Sequence, residues 1–118
     1  MNVLLLCDDL LFSSRVTGTA ATHALVVRVC RSAEELVQLA REHRPGCVIL
    51  DLSHTTLHVP QVVGALRASA PSPRIVAYGS HVDVETLKAA RTAGCDIVMP
   101  RSQFVEMLPK LLPEWVRR

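Results

Sequence analysis

The sequence predicts an α/β fold: a five-stranded parallel sheet in strand order 2-1-3-4-5, with helices on both faces. Three observations predict it. Short apolar runs alternate with helical patterns five times along 118 residues. The runs are nearly continuous in Leu, Val, Ile and Cys, as expected for strands covered on both faces. Right-handed crossovers and the number of units favour that strand order in a chain of single-domain length.

The first strand is Asn2 to Cys7. The helix after it buries Phe12, Val16, Ala20 and His23 on one face, although Gly18 inside it costs about 1 kcal/mol relative to Ala. Leu25 to Cys30 is the second strand. Ser32 and Glu35 form a capping box for the second helix, whose stripe is Ala33, Leu36, Val37 and Ala40. Pro45-Gly46 ends it, and the third strand runs from Cys47 to Leu50.

A polar loop, Asp51 to Val59, leads to a third helix that starts at Pro60 and buries Val63, Leu66 and Ala70. Pro71 and Pro73 stop it. The fourth strand is Arg74 to Tyr78. Asp83 caps the fourth helix, which buries Val84, Leu87 and Ala90 and ends at Gly94. Ile97 to Met99 is the fifth strand. Ser102 is expected to cap the last helix, and Pro109 and Pro113 to cut it short into an irregular turn. With no linker or low-complexity tract, residues 1–118 are expected to be one domain without an output domain.

Composition narrows the function. The formal charge is +2 and the basic residues are scattered, which does not suit nucleic acid. The closing Arg117-Arg118 reads as a solvated terminus. The apolar fraction is 49% with only two Phe, one Trp and one Tyr, so the core is mostly aliphatic. Trp115 is expected to cover the end of that core. Cys7, Cys30, Cys47 and Cys95 lack metal-ligand spacing and read as reduced thiols of a cytoplasmic protein. The opening apolar run is too short for a signal peptide core or a membrane span.

Three acidic residues carry the chemistry. Asp8 and Asp9 close the first apolar run, and Asp51 closes the third. In an open parallel sheet these meet beyond the carboxyl ends of the strands. Gathered carboxylates repel one another unless a cation or a basic side chain joins them, which is the chemistry of a Mg²⁺-assisted phosphate site. His54, His58 and His81 fall on loops at the same edge. With Asp51 they could ligate a transition metal, but their spacing fits no familiar motif and solvated positions are expected.

In order and spacing the chain resembles the receiver domains of two-component response regulators, the family of the chemotaxis regulator. The matching pieces are Cys7-Asp8-Asp9, Ile49-Leu50-Asp51-Leu52, Ala93-Gly94-Cys95-Asp96 and the basic residue Arg101 after the fifth strand. The resemblance covers essentially the whole chain. It implies Asp51 as phosphoacceptor, and Asp8, Asp9, Asp51 and the backbone carbonyl of Ser53 as the Mg²⁺ site. A histidine kinase or other signalling protein is the implied partner, with a possible homodimer through the fourth helix, fifth strand and fifth helix.

Four departures stand out. Arg101-Ser102 replaces the family's Lys-Pro, and arginine is not a neutral swap for lysine. Arg101 is expected to contact either the phosphate or Asp51. The switch hydroxyl slot falls on Gly79, with Ser80 one residue late. His81, two past Gly79, suits a role in phosphoryl lifetime. The aromatic slot in the fifth strand falls on Val98. The leading expectation is a stand-alone phosphorelay receiver, not an enzyme. Its rivals are a phosphorylation-independent scaffold with Arg101 paired to Asp51, and an aspartate-nucleophile phosphatase. The last is disfavoured because Ser53 stands where a second aspartate belongs.

Overall fold

The structure, a computed structural model, describes residues 1–116; Arg117 and Arg118 lie outside the described residues. Five strands, β1 (Val3–Leu6), β2 (Val27–Cys30), β3 (Cys47–Asp51), β4 (Arg74–Gly79) and β5 (Ile97–Pro100), form one sheet in the order β2-β1-β3-β4-β5. Every pairing is parallel. Each strand is followed by a helix: α1 (Leu10–Thr22), α2 (Ala33–His43), α3 (Val59–Arg67), α4 (Val84–Ala93) and α5 (Arg101–Trp115).

The period-two alternation of the strands sorts side chains into two apolar layers. Val3, Leu5, Cys47, Ile49, Val76 and Met99 pack under α1 and α5. Leu4, Leu6, Val48, Leu50, Ile75 and Ala77 pack under the other face, against Leu36 of α2 and Val62, Val63 and Leu66 of α3. Burying each such side chain stabilises by about 1.5–3 kcal/mol. Among the described residues no helix is long and apolar enough to cross a membrane.

The caps read at Ser32 and Asp83 form. Ser32 Oγ accepts from Glu35 N at 3.1 Å, and Asp83 Oδ1 accepts from Thr86 N at 3.2 Å. Gly94 ends α4 at φ 108°, a conformation open to a residue without Cβ. Differences fall at element ends: α3 starts at Val59, one residue before Pro60, and β3 includes Asp51. Three residues expected inside are exposed because they lie at or beyond helix ends: His23 after α1, Ala70 beyond α3, and Val84, 62% exposed, at the start of α4.

The larger correction concerns α5. It runs unbroken from Arg101 to Trp115 with Pro109 and Pro113 inside, and it starts after Pro100 rather than at a Ser102 cap. A proline in a helix removes a donor and costs about 3 kcal/mol. Here Phe104, Leu108, Leu112 and Trp115 form a stripe, each 4% exposed or less, that holds the helix on the core. Because Pro113 has no N–H, the Pro109 carbonyl loses its intrahelical donor. His23 Nε2 lies 2.9 Å from that oxygen and can supply the bond from the end of α1.

All four aromatic residues lie in one cluster. Phe12 and Tyr78 rings are 4.7 Å apart, Tyr78 and Phe104 are 4.8 Å apart, and Phe104 stacks on Trp115 at 5.6 Å. Trp115 covers the core, as expected from the sequence, and is 4% exposed.

Candidate functional site

The parallel register brings the first turn of α1, the end of β3 and the first turn of α5 to one edge of the sheet. Asp9 caps α1: its Oδ1 accepts from Phe12 N at 3.1 Å. Its Oδ2 accepts from Arg101 Nη2 at 2.8 Å. The Arg101 guanidinium also lies over the Phe12 ring, 4.4 Å from its centroid. That cation–π stack roofs the aromatic cluster. The Phe12 amide first, and the Arg101 guanidinium second, hold the Asp9 carboxyl below its usual range. The same hydrogen bond from Arg101 to Asp9 pushes the guanidinium pKa up.

Asp8 turns another way. Its Oδ2 is 3.0 Å from His54 Nε2, a ring whose side chain is only 1% exposed. His54 Nδ1 accepts from Thr56 N at 3.2 Å and lies 3.0 Å from Thr56 Oγ1. Thr56 Oγ1 in turn accepts from Ala33 N. This bonding pattern puts the ring proton on Nε2, toward Asp8. The approach lacks hydrogen-bond alignment, so Nε2 touches Asp8 by charge and distance alone. His54 is therefore a buried anchor rather than a solvated loop residue. His58 and His81 are exposed.

Asp51 is 9% exposed at the end of β3. Its Oδ1 accepts from Ser53 N at 2.9 Å and from Ser53 Oγ at 2.6 Å. Among the described residues nothing donates to Oδ2. The strand-four residue level with Asp51 is Tyr78, and Gly79 points to the opposite face, where a Cβ would meet Leu52 and Leu87. Tyr78 is 1% exposed and its hydroxyl makes no hydrogen bond of ordinary geometry. Burial above all, then Cys7 and Asp51, push its pKa far up. The Cys7 thiol donates to Asp9 O at 3.6 Å, which leaves the phenol only a weakly accepting sulfur.

A cleft of about 640 Å³ opens beside Asp51. It is lined by Asp51 and Ser53 at the end of β3, Tyr78 to His81 at the end of β4, and Arg101, Ser102 and Val105 of α5. So the structure brings Asp51, Ser53, Gly79, Ser80, His81 and Arg101 to one cleft. It does not bring the three carboxylates into one metal-holding group. Arg101 bonds Asp9 rather than Asp51, Asp8 is drawn to His54, and Asp51 is tied to Ser53. Among the described residues no group of three or more His, Cys, Asp or Glu side chains could hold a metal ion. With one carboxylate spending both oxygens on Phe12 and a guanidinium, the donor set does not fit Mg²⁺, which needs a near-octahedral oxygen shell.

Tyr78 is the site residue that sequence reasoning missed. Its signal was present: it is the only tyrosine, it closes the fourth strand, and Phe12 and Phe104 each follow a site residue, Asp9 and Arg101, by three. Val98 lies on the other layer, and the aromatic beside Asp51 comes from β4 instead. The four cysteines are free, and Cys7, Cys30 and Cys47 are buried.

Solved structures share this architecture. The signal receiver domain of a response regulator from Bermanella marisrubri superposes with a TM-score of 0.83 at 21% identity, covering 98% of each chain. The chemotaxis response regulator CheY4 of Vibrio cholerae gives 0.80 at 19% identity, again over 98% of both chains. The receiver domain of NtrX from Brucella abortus gives 0.80 at 16% identity over 96% of each. In two longer NtrX chains the match spans 26% and 25% of their length. No protein-family model matches the chain, and no curated protein matches it. The chain has the receiver fold.

Proposed function

We propose that this receiver-fold chain is a signalling module that acts by docking to partner proteins, without metal-dependent phosphoryl transfer at Asp51. The observation that carries the reading is the Arg101–Asp9 contact at 2.8 Å. Phosphoryl transfer to a carboxylate must overcome repulsion between two anions, and positioned cations do most of that work. Here the cation of the edge is covalently part of α5 and already engaged. Its position, bonded to Asp9 and stacked on Phe12, fixes the start of α5 against α1.

A module held in one arrangement signals by what binds it. The partner is a histidine kinase or another signalling protein, and a homodimer through α4, β5 and α5 belongs to the same reading. The module has no turnover of its own: two residues past Asp51 stands Ser53, whose hydroxyl is bonded to Asp51 and offers no acid to a leaving group.

A second reading has one observation in its favour. Asp51, with no donor to its Oδ2 among the described residues, lines an open cleft together with Ser80, His81 and Arg101. As a conventional phosphoacceptor, Asp51 would take phosphate from a kinase once Asp8 and Asp9 were released to hold Mg²⁺.

Incubation with Mg²⁺ and acetyl phosphate, followed by intact mass measurement, separates the two. The first reading expects no phosphoryl adduct and no beryllofluoride binding. An adduct that Asp51→Ala abolishes overturns it in favour of the second.

A further inference from the structure

We propose that the groove between α2 and α3 is an interface for a second copy of this chain, docked about a two-fold axis that passes between Val37 and Gln38. The inference adds this partner to the docking reading and stands whether or not Asp51 takes phosphate. The groove has a volume of about 520 Å³. Its apolar lining comes from the buried Ala33 and Val62 and the half-buried Val37 and Ala65.

Charge decides the occupant. Nine residues line the groove, and only Glu34 and Arg41 among them are charged. Both are exposed, and among the described residues neither side chain has an ion-pair or hydrogen-bond partner. Glu34, Val37, Gln38 and Arg41 follow the spacing i, i+3, i+4, i+7, so they share one face of α2. That stripe reads acid, apolar, polar, base. Glu34 and Arg41 stand equally far from its midpoint, about 5 Å along the axis at 1.5 Å per residue. Laid antiparallel on a copy of itself, the stripe matches. Glu34 faces the partner's Arg41, Arg41 faces the partner's Glu34, and Val37 meets the partner's Gln38. A two-fold interface requires such self-complementarity. The helix dipole accounts for an acid in the first turn of α2 and a base in the last. It does not account for both on the groove-facing stripe, equidistant from its centre and unpaired within the chain. A wholly acidic or wholly basic partner would oppose one of the two charges.

The test is sedimentation equilibrium over a concentration series to about 1 mM, the range of weak association. The wild type should dimerise, and less so in about 0.5 M sodium chloride, where exposed charges are screened. Glu34→Arg alone and Arg41→Glu alone each set two like-charged contacts across the axis. Each should weaken the dimer about tenfold or more. An equimolar mixture of the two variants should restore it, because each chain then carries the charges that the other lacks. The two substitutions combined on one chain invert the stripe but leave it self-complementary, so that variant should dimerise like the wild type. It opposes the helix dipole at both ends of α2, and its dimerisation therefore also shows that the fold survives the reversals. If circular dichroism shows a reversal to be unfolded, Glu34→Gln and Arg41→Gln replace it. Their combination should weaken the dimer no more than either alone, since each single change already breaks both pairs; additive losses overturn the proposal. So does a wild type that stays monomeric throughout, or a loss in the single reversals that their mixture does not rescue. A dimer indifferent to these charges lies on another face, such as α4, β5 and α5, and removes this interface while the docking reading stands. A phosphoryl adduct at Asp51 removes the phosphorylation-independent reading and leaves this interface in place.

Discussion

Replacing Tyr78 by Phe should stabilise the protein. The substitution deletes one atom, a hydroxyl oxygen without a properly aligned partner in a side chain that is 1% exposed. Leaving a buried hydroxyl unpaired costs about 1–3 kcal/mol, and an apolar group of the same shape avoids that penalty. The ring itself stays in place, 4.7 Å from Phe12 and 4.8 Å from Phe104. Little packing is lost, so the expected gain is about 1–2 kcal/mol. For a chain of this length that is a rise in Tm of about 4–8 °C. Urea unfolding followed by circular dichroism should show a higher midpoint with an unchanged slope.

The pH dependence gives a second reading of the same change. Burial raises the folded pKa of Tyr78 above its ordinary value of 10.0. The stability tied to the neutral phenol is therefore complete below about pH 10 and is lost as pH rises beyond it. The advantage of Tyr78→Phe should widen in that range. A variant less stable than the wild type by more than about 1 kcal/mol would refute the reasoning, because it would mean that the hydroxyl has a real partner.

Two further outcomes follow from the structure. His23→Ala should cost about 0.5–1 kcal/mol by removing the donor to the Pro109 carbonyl, and the cost should shrink in a Pro113→Ala background, where the helix regains its own N–H; equal costs in both backgrounds would contradict the assignment. Burial pushes the thiols of Cys30 and Cys47 from 9.0 up to about 12, so stability should hold below about pH 9 and fall as pH climbs towards 12; denaturation midpoints compared across that window check it, and a flat profile would contradict it.

Much of the fold was readable because it depends on local and periodic signals. The continuous apolar runs at Val3 and Cys47, the serine at 32, the aspartate at 83 and the glycine at 94 each act within a few residues of themselves. What failed depends on distant partners. Pro109 and Pro113 break helices when a helix stands alone, but here the stripe from Phe104 to Trp115 and the ring of His23 outweigh the local rule. Arg101 was placed at the right edge with the wrong partner. β1 and β5 are not neighbours in the sheet, yet α1 and α5 share one face, so the cap of α1 meets the first residue of α5. Asp51 is instead tied to Ser53. His54 looked like a solvated loop residue, but its ring is buried and bonded to Thr56, which Ala33 N holds in turn. Tyr78 carries no periodic signal at all; its role arises from two phenylalanines on two other elements.

The central claim is that the Arg101 guanidinium, held by Asp9, does at the acidic edge what a divalent ion would otherwise do. Calorimetric titration with Mg²⁺ of the wild type and of Arg101→Ala tests it most directly. The account predicts no saturable binding to the wild type and a gain of binding when the guanidinium is removed and the carboxylates are left uncompensated. Saturable Mg²⁺ binding to the wild type, no weaker than to Arg101→Ala, would contradict it.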